Sequence, residues 1–263
     1  MPDLAQWLID HLVLGLLVLT RLGALLMAMP AVGVGVPRRI RLFLAVAVTA
    51  LLLPVLDAHA NTANLPTTSN LIELAIAVAR EGLVGMLIGV TVQVIVTGLQ
   101  LAGEAITSTG GMQLGDAIDP TTQSSMPALA RLIGMLITSV MLIVGGHRLV
   151  LTVLLGTFTQ IPVGQVELPE SMLHLLLSTL GGAMAAGIRV AAPVIAALLL
   201  SNLVTGLISR TLPQINVLAI GLSINSLAML VVCALSIGSA AYLFQDQLSE
   251  GIDRLTRIWE QPG

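Results

Sequence analysis

Six apolar runs follow one another along this chain, each near or above the roughly 17–25 residues that carry a helix across a bilayer. They cover about Leu12–Met29, Ile40–Leu56, Leu71–Leu101, Ala128–Ile161, Met172–Ile208 and Ile215–Phe244. Backbone amides inside lipid have no water to bond, so runs of this length restrict the chain to spanning helices. The fold class expected is all-α and polytopic. The fourth run is too long for one plain span and is interrupted at Gly145-Gly146-His147-Arg148, so five or six spans are expected.

The residues are 56% hydrophobic and only 10% charged, against about 25% charged in a soluble domain. All eleven cations are arginine and the net charge is −3, so no basic footprint for nucleic acid exists. Arg38, Arg39 and Arg41 sit in the first short loop, which orients that loop to the cytoplasm and the N-terminus to the far side. The Asp57–Asn70 link carries no cation and fits the far side. Asp3 and Asp10 precede the first run, and no small-residue cleavage site follows it, so a cleavable signal is not expected. The single cysteine, Cys233, lies in an apolar run and reads as a small core hydrophobe.

One stretch breaks the pattern. Gly103–Pro127 contains four glycines, two prolines, three carboxylates (Glu104, Asp116, Asp119) and no cation. A connection this long in a compact protein is usually functional or disordered. Ile106, Met112, Leu114, Ile118 and Met126 are interspersed among its polar residues. That mixture suits irregular backbone held against protein or along a water-filled cavity. Shorter links occupy Pro162–Glu170 and Ser209–Gln214, and the polar tail Gln245–Gly263 reads as solvated or as a short amphipathic helix.

Arg21 and Arg189 fall inside apolar runs, where a charge needs a partner or a wet cavity. For each, pairing with a carboxylate or with carbonyls is the structural reading. Arg80-Glu81 reads as a local or intersubunit ion pair. Gly82, Gly85 and Gly89 lie near one another on a helix and let backbones approach closely; packing within one bundle and packing against other subunits both remain open. His147 is read as a hydrogen-bonded structural residue before a proton relay.

Catalytic patterns are missing. The four histidines are scattered and no Cys/His cluster has metal-ligand spacing. Without lysine no phosphate-binding loop of the Walker type is possible. Neither a nucleophile elbow nor a zinc-protease helix motif occurs. No enzyme, cofactor or metal is expected. A secondary transporter with a midplane site near Arg21 or Arg189 would show matching broken helices in two halves; here the 103–127 loop has no counterpart after Met172. A purely architectural subunit is the third reading.

Several landmarks, each weak alone, occur together in one order: Arg21-Leu22-Gly23-Ala24, Met29-Pro30, Val36-Pro37-Arg38-Arg39-Ile40-Arg41, Glu81-Gly82 through Gly85 to Gly89, and Ala102-Gly103-Glu104. Asp119-Pro120, Gly145-Gly146-His147, Phe158, Pro162-Val163-Gly164 and Arg210 through Pro213-Gln214 to Asn216 follow. Together they resemble the FliR family of flagellar type III export, over about Arg21–Met229, and look more like its flagellar than its injectisome branch.

The resemblance implies a non-enzymatic inner-membrane subunit of the flagellar basal body, one copy with several FliP and FliQ subunits in an export gate. It implies docking of FlhB, delivery by FlhA and the flagellar ATPase complex, and passage of unfolded substrates. Met1–Gly164 would be FliP-like and about Gln165–Phe244 a FliQ-like helical pair, in an assembly standing largely above the membrane. About Ile106–Thr122 would be a pore plug near a methionine ring. Gly110, Gly111 and Gly115 permit unusual backbone shapes, and Met112 and Leu114 could seal against ions. Asp116 and Asp119 would belong to the same loop, with Asp119-Pro120 capping a returning helix or touching substrate.

Overall fold

A computed structural model describes residues 4–30, 36–57, 70–111, 128–164, 166, 171–211 and 217–260. Every regular element among them is an α-helix: α1 (Leu4–Ala28), α2 (Arg38–Asp57), α3 (Leu71–Thr109), α4 (Ala128–Val144), α5 (Gly146–Gln160), α6 (Ser171–Thr211) and α7 (Val217–Glu260). The apolar runs thus become helices. Among the described residues four helices are long and apolar enough to span, or five if α4 and α5 form one broken span. The upper figure meets the lower end of the five or six expected; the last run contributes only the shorter apolar stretch Ser223–Val232 among the described residues.

The chain divides into two compact units. The first comprises Met1–Gln93, Leu142–Ser178 and Ser249–Gly263. In it α1 presents Leu14, Leu17, Val18, Leu22 and Leu25, all essentially inaccessible, as a stripe at helical spacing. Val13 and Leu17 form a buried cluster with Ala77 of α3, joined by Ile9, Leu74, Val78 and Val163. Helix α2 packs on α1 yet leaves Ile40, Leu42, Phe43, Leu51 and Val55 exposed. At 20 residues it is about 30 Å long, the thickness of a bilayer core. Its exposed apolar surface suits lipid.

α3 starts after Asn70, whose carbonyl accepts from the Leu74 N–H at 3.1 Å. Glu73 in the first turn is favoured there by the helix dipole. Gly145 separates α4 from α5 with φ of 83°, a left-handed conformation that side chains resist. α5 ends at Ile161, whose N–H donates to the Thr157 carbonyl at 2.8 Å, and Pro162 prevents continuation.

The second unit comprises Val94–Met141 and Thr179–Leu248. Its core takes Ile95, Leu99 and Ile106 from α3, Ile137 and Met141 from α4, Ala183, Val194 and Leu198 from α6, and Phe244 from α7. A Cβ on Gly98 would overlap the Ala183 backbone and side chain, and one on Gly187 would overlap the Gly98 carbonyl. These glycines allow α3 and α6 to cross at close range.

Two boundaries differ from those expected. Gly103–Thr109 is the last two turns of α3 rather than the start of a loop. Hydroxyls there bond back to their own helix: Thr107 Oγ1 donates to the Gly103 carbonyl at 2.7 Å and Thr109 Oγ1 to that of Ala105 at 2.8 Å. The residues read as a polar tail continue α7 without a break to Glu260, with Phe244, Leu248, Ile252 and Leu255 buried. Their spacing puts them on one face, so a mean polarity conceals a stripe.

Candidate functional site

Arg21 is completely buried, as is Glu81. Its Nε donates to Glu81 Oε2 at 2.5 Å, and Nη1 donates to Thr157 Oγ1 at 3.1 Å. Nη1 and Nη2 both approach the Ile161 carbonyl, at 3.5 and 3.4 Å. The guanidinium carbon lies 4.4 Å from the Phe158 ring centroid, a cation–π geometry. Glu81 Oε1 accepts from the Gly164 N–H at 2.8 Å.

The connection after α5 therefore addresses both charges. A carbonyl from Ile161 faces the cation and an N–H from Gly164 faces the carboxylate. Gly164 has φ of 85°, and this left-handed turn aims its N–H inward. Thr157 Oγ1 can accept from Arg21 because its proton goes to the Leu154 carbonyl, at 2.6 Å. A buried ion pair holds only when such additional bonds offset its desolvation.

Arg80 does not share Glu81. It is exposed and donates to the Val166 carbonyl at 3.4 Å. Arg189 is also exposed and belongs to neither the Arg21–Glu81 nor the Arg254–Glu250 ion pair. Gly85 and Gly89 lie against α1: a Cβ on Gly85 would overlap the Arg21 carbonyl, and one on Gly89 would come within 2.6 Å of the Ala28 Cβ. Gly82 has ordinary room beside Thr20, at 3.5 Å. These close approaches are made within the chain.

In the second unit, Gly110 N–H donates to the Ile106 carbonyl at 2.9 Å, and Gly111, with φ of 72°, turns the chain out of α3 as a left-handed helix terminus does. Ile106 is buried. Asn225 reaches this end: its Nδ2 donates to the Gly110 carbonyl at 3.4 Å and to Asn202 Oδ1 at 2.7 Å. Asn202 Nδ2 donates to the Thr109 carbonyl at 3.3 Å, and Ser201 Oγ donates to Asn225 Oδ1 at 2.6 Å. Asn202 and Asn225 thus satisfy carbonyls that the end of a helix leaves open, with Ser201 donating to Asn225. The remaining expected loop residues, Met112, Leu114, Gly115, Asp116 and Asp119, lie outside the described residues.

The two asparagines and Ser201 were not singled out in the sequence. The available signal was an amide inside an apolar run, the same signal that marks Arg21. Among the described residues no group of three His, Cys, Asp or Glu side chains could hold a metal ion.

Apolar helices of spanning length and a buried ionic contact tying the first, third and fifth define a polytopic all-helical membrane protein. A family described as bacterial export proteins, family 1, matches residues 12–251. The chain is 30% identical over 241 residues to the flagellar biosynthetic protein FliR of Caulobacter vibrioides, covering 91% of this chain and 94% of that one. It is 33% identical to FliR of Escherichia coli, over 71% of this chain and 69% of the relative. FliR of Bacillus subtilis is 30% identical over 59% and 62%. The chain belongs to this export-protein family, as a FliR-type membrane component of flagellar type III export.

Proposed function

We propose that this chain is a core subunit of the flagellar type III export gate, forming with FliP and FliQ an inner-membrane pore for unfolded flagellar proteins. Its role is passage and sealing rather than catalysis. FlhB docks on the gate, and FlhA and the ATPase complex supply substrates from the cytoplasm. The segment through Gly164 is FliP-like, about Gln165–Phe244 is FliQ-like, and the N-terminus is periplasmic.

The observation that carries this reading is the length of exposed apolar helix. α3, α6 and α7 contain 39, 41 and 44 residues, or about 58–66 Å at 1.5 Å per residue. Along α6, Leu173, Leu177, Leu180, Met184, Ile188, Leu199, Leu203 and Leu207 are exposed, over about 50 Å. A bilayer core covers only about 30 Å. The remainder must be covered by other subunits or lie in water at a large hydrophobic penalty. A self-contained transporter has no such requirement, and Arg21, one of its two candidate midplane groups, is closed within the core.

Native mass spectrometry of the chain co-expressed with FliP and FliQ tests the assembly. A hetero-oligomer with one copy of this chain is expected, and a stable monomer without partners would sink the proposal. The plug role is tested by deleting Gly110–Gly115. Assembled gates should then leak ions, while normal conductance and export in assembled complexes would remove the plug.

A further inference from the structure

Between Leu175 and Ser209 the sequence of α6 carries a single charged residue, Arg189. Eighteen residues of the helix precede it and twenty-two follow, about 27 and 33 Å of helix. Its side chain is exposed. Gly181, Ala185, Ala192 and Ala196 are exposed with it, at positions two turns and one turn before it and one and two turns after it, on one face. Nothing lies within 4 Å of a Cβ placed on Gly181. Leu180, Met184 and Ile188 form an exposed apolar ridge beside this shallow groove.

Lipid cannot satisfy this face. With α6 centred in the membrane, Arg189 sits near the midplane, too deep for its side chain to reach headgroups. Sliding the helix until it does pushes exposed leucines into water, either Leu173, Leu177 and Leu180 or Leu199, Leu203 and Leu207. A protein surface with an acidic group resolves both demands. Small residues admit a helix backbone closely, and an exposed cation flanked by apolar groups selects a carboxylate on whatever packs there.

We propose that the Gly181–Ala196 face of α6 seats an apolar helix of a partner export-gate subunit, with an Asp or Glu of that helix paired to Arg189. The inference rests on the gate reading and adds the site and the chemistry of the contact. Its test uses the complex co-purified with FliP and FliQ, with Arg189→Lys, Arg189→Glu and Ala185→Leu made in this chain. Ala185 is exposed, so leucine there fills the groove without disturbing the core.

Recovery of the complex should fall about thirty-fold or more for R189E and A185L, and about threefold or less for R189K. A photo-crosslinker at Ile188 should capture a partner peptide containing an Asp or Glu, and changing that residue to Lys should restore R189E. Assembly of R189E and A185L at wild-type yield would overturn the contact while leaving the gate reading intact. Failure of the wild-type chain to assemble would overturn both. Yields that depend on phosphatidylglycerol, with no protein crosslink, would overturn the helix partner in favour of a lipid headgroup.

Discussion

Arg21 and Glu81, sixty positions apart in sequence, meet through Nε and Oε2 at 2.5 Å with neither side chain exposed. The contact binds α1 to α3, and Thr157, Ile161 and Gly164 close around it.

Removing one member leaves the other charge buried and unpaired. Arg21→Met and Glu81→Leu should each lower stability by about 3–5 kcal/mol, read as the unfolding midpoint in detergent. The double variant should lose less than the sum, since two apolar groups leave no orphan charge. Strictly additive losses would mean that the two are not coupled.

Gly164→Ala should lower stability by about 1–3 kcal/mol, through strain at φ of 85° and through displacement of the N–H that Glu81 accepts. In the Glu81→Leu background the same strain remains but the lost N–H contact no longer matters. The effect of G164A should therefore shrink there without vanishing, which thermal unfolding of the four proteins can resolve.

Glycines at equal helical positions should respond differently to a methyl group. Gly85→Ala collides with the Arg21 backbone and should cost about 1–3 kcal/mol by forcing α1 and α3 apart. Gly156 in α5 has nothing within 4 Å of its would-be Cβ. Gly156→Ala should be neutral or gain up to about 1 kcal/mol from helix propensity. Equal losses at both positions would contradict the packing.

Asn225→Leu removes the bond to the Gly110 carbonyl and strands Asn202 and Ser201. The Gly110 carbonyl, on a buried residue, is left without this donor, at a cost of about 1–3 kcal/mol. Hydrogen exchange over Ile106–Gly111 should accelerate, while exchange in α1 stays unchanged. Protection equal to wild type would show that α3 ends independently of α7.

The helices were legible because spanning length is a local property, written in consecutive residues. Arg21 was legible as a residue in need of a partner, for the same reason. The identity of that partner was not: Glu81 adjoins Arg80 in sequence, and adjacency suggested the wrong cation. Successive helix positions point about 100° apart, so Arg80 faces outward while Glu81 faces α1. Gly103–Thr109 looked like loop from its Gly, Ser and Thr content, yet hydroxyl-to-carbonyl bonds and the burial of Ala102 and Ile106 keep it helical. The Asn202–Asn225 contact joins distant positions, and no spacing in the chain announces it.

The Arg21 contact also imposes an order on biogenesis. At bacterial synthesis rates of about 5–20 residues per second, Glu81 leaves the ribosome some 3–12 s after Arg21, and Thr157 and Gly164 follow later still. During that interval the first helix holds a naked cation, which insertion penalises by about 2.5–3.5 kcal/mol at mid-membrane depth. The first helix therefore remains a poor guest of the bilayer until the third arrives, and its final insertion is a joint event with α3 rather than an opening step.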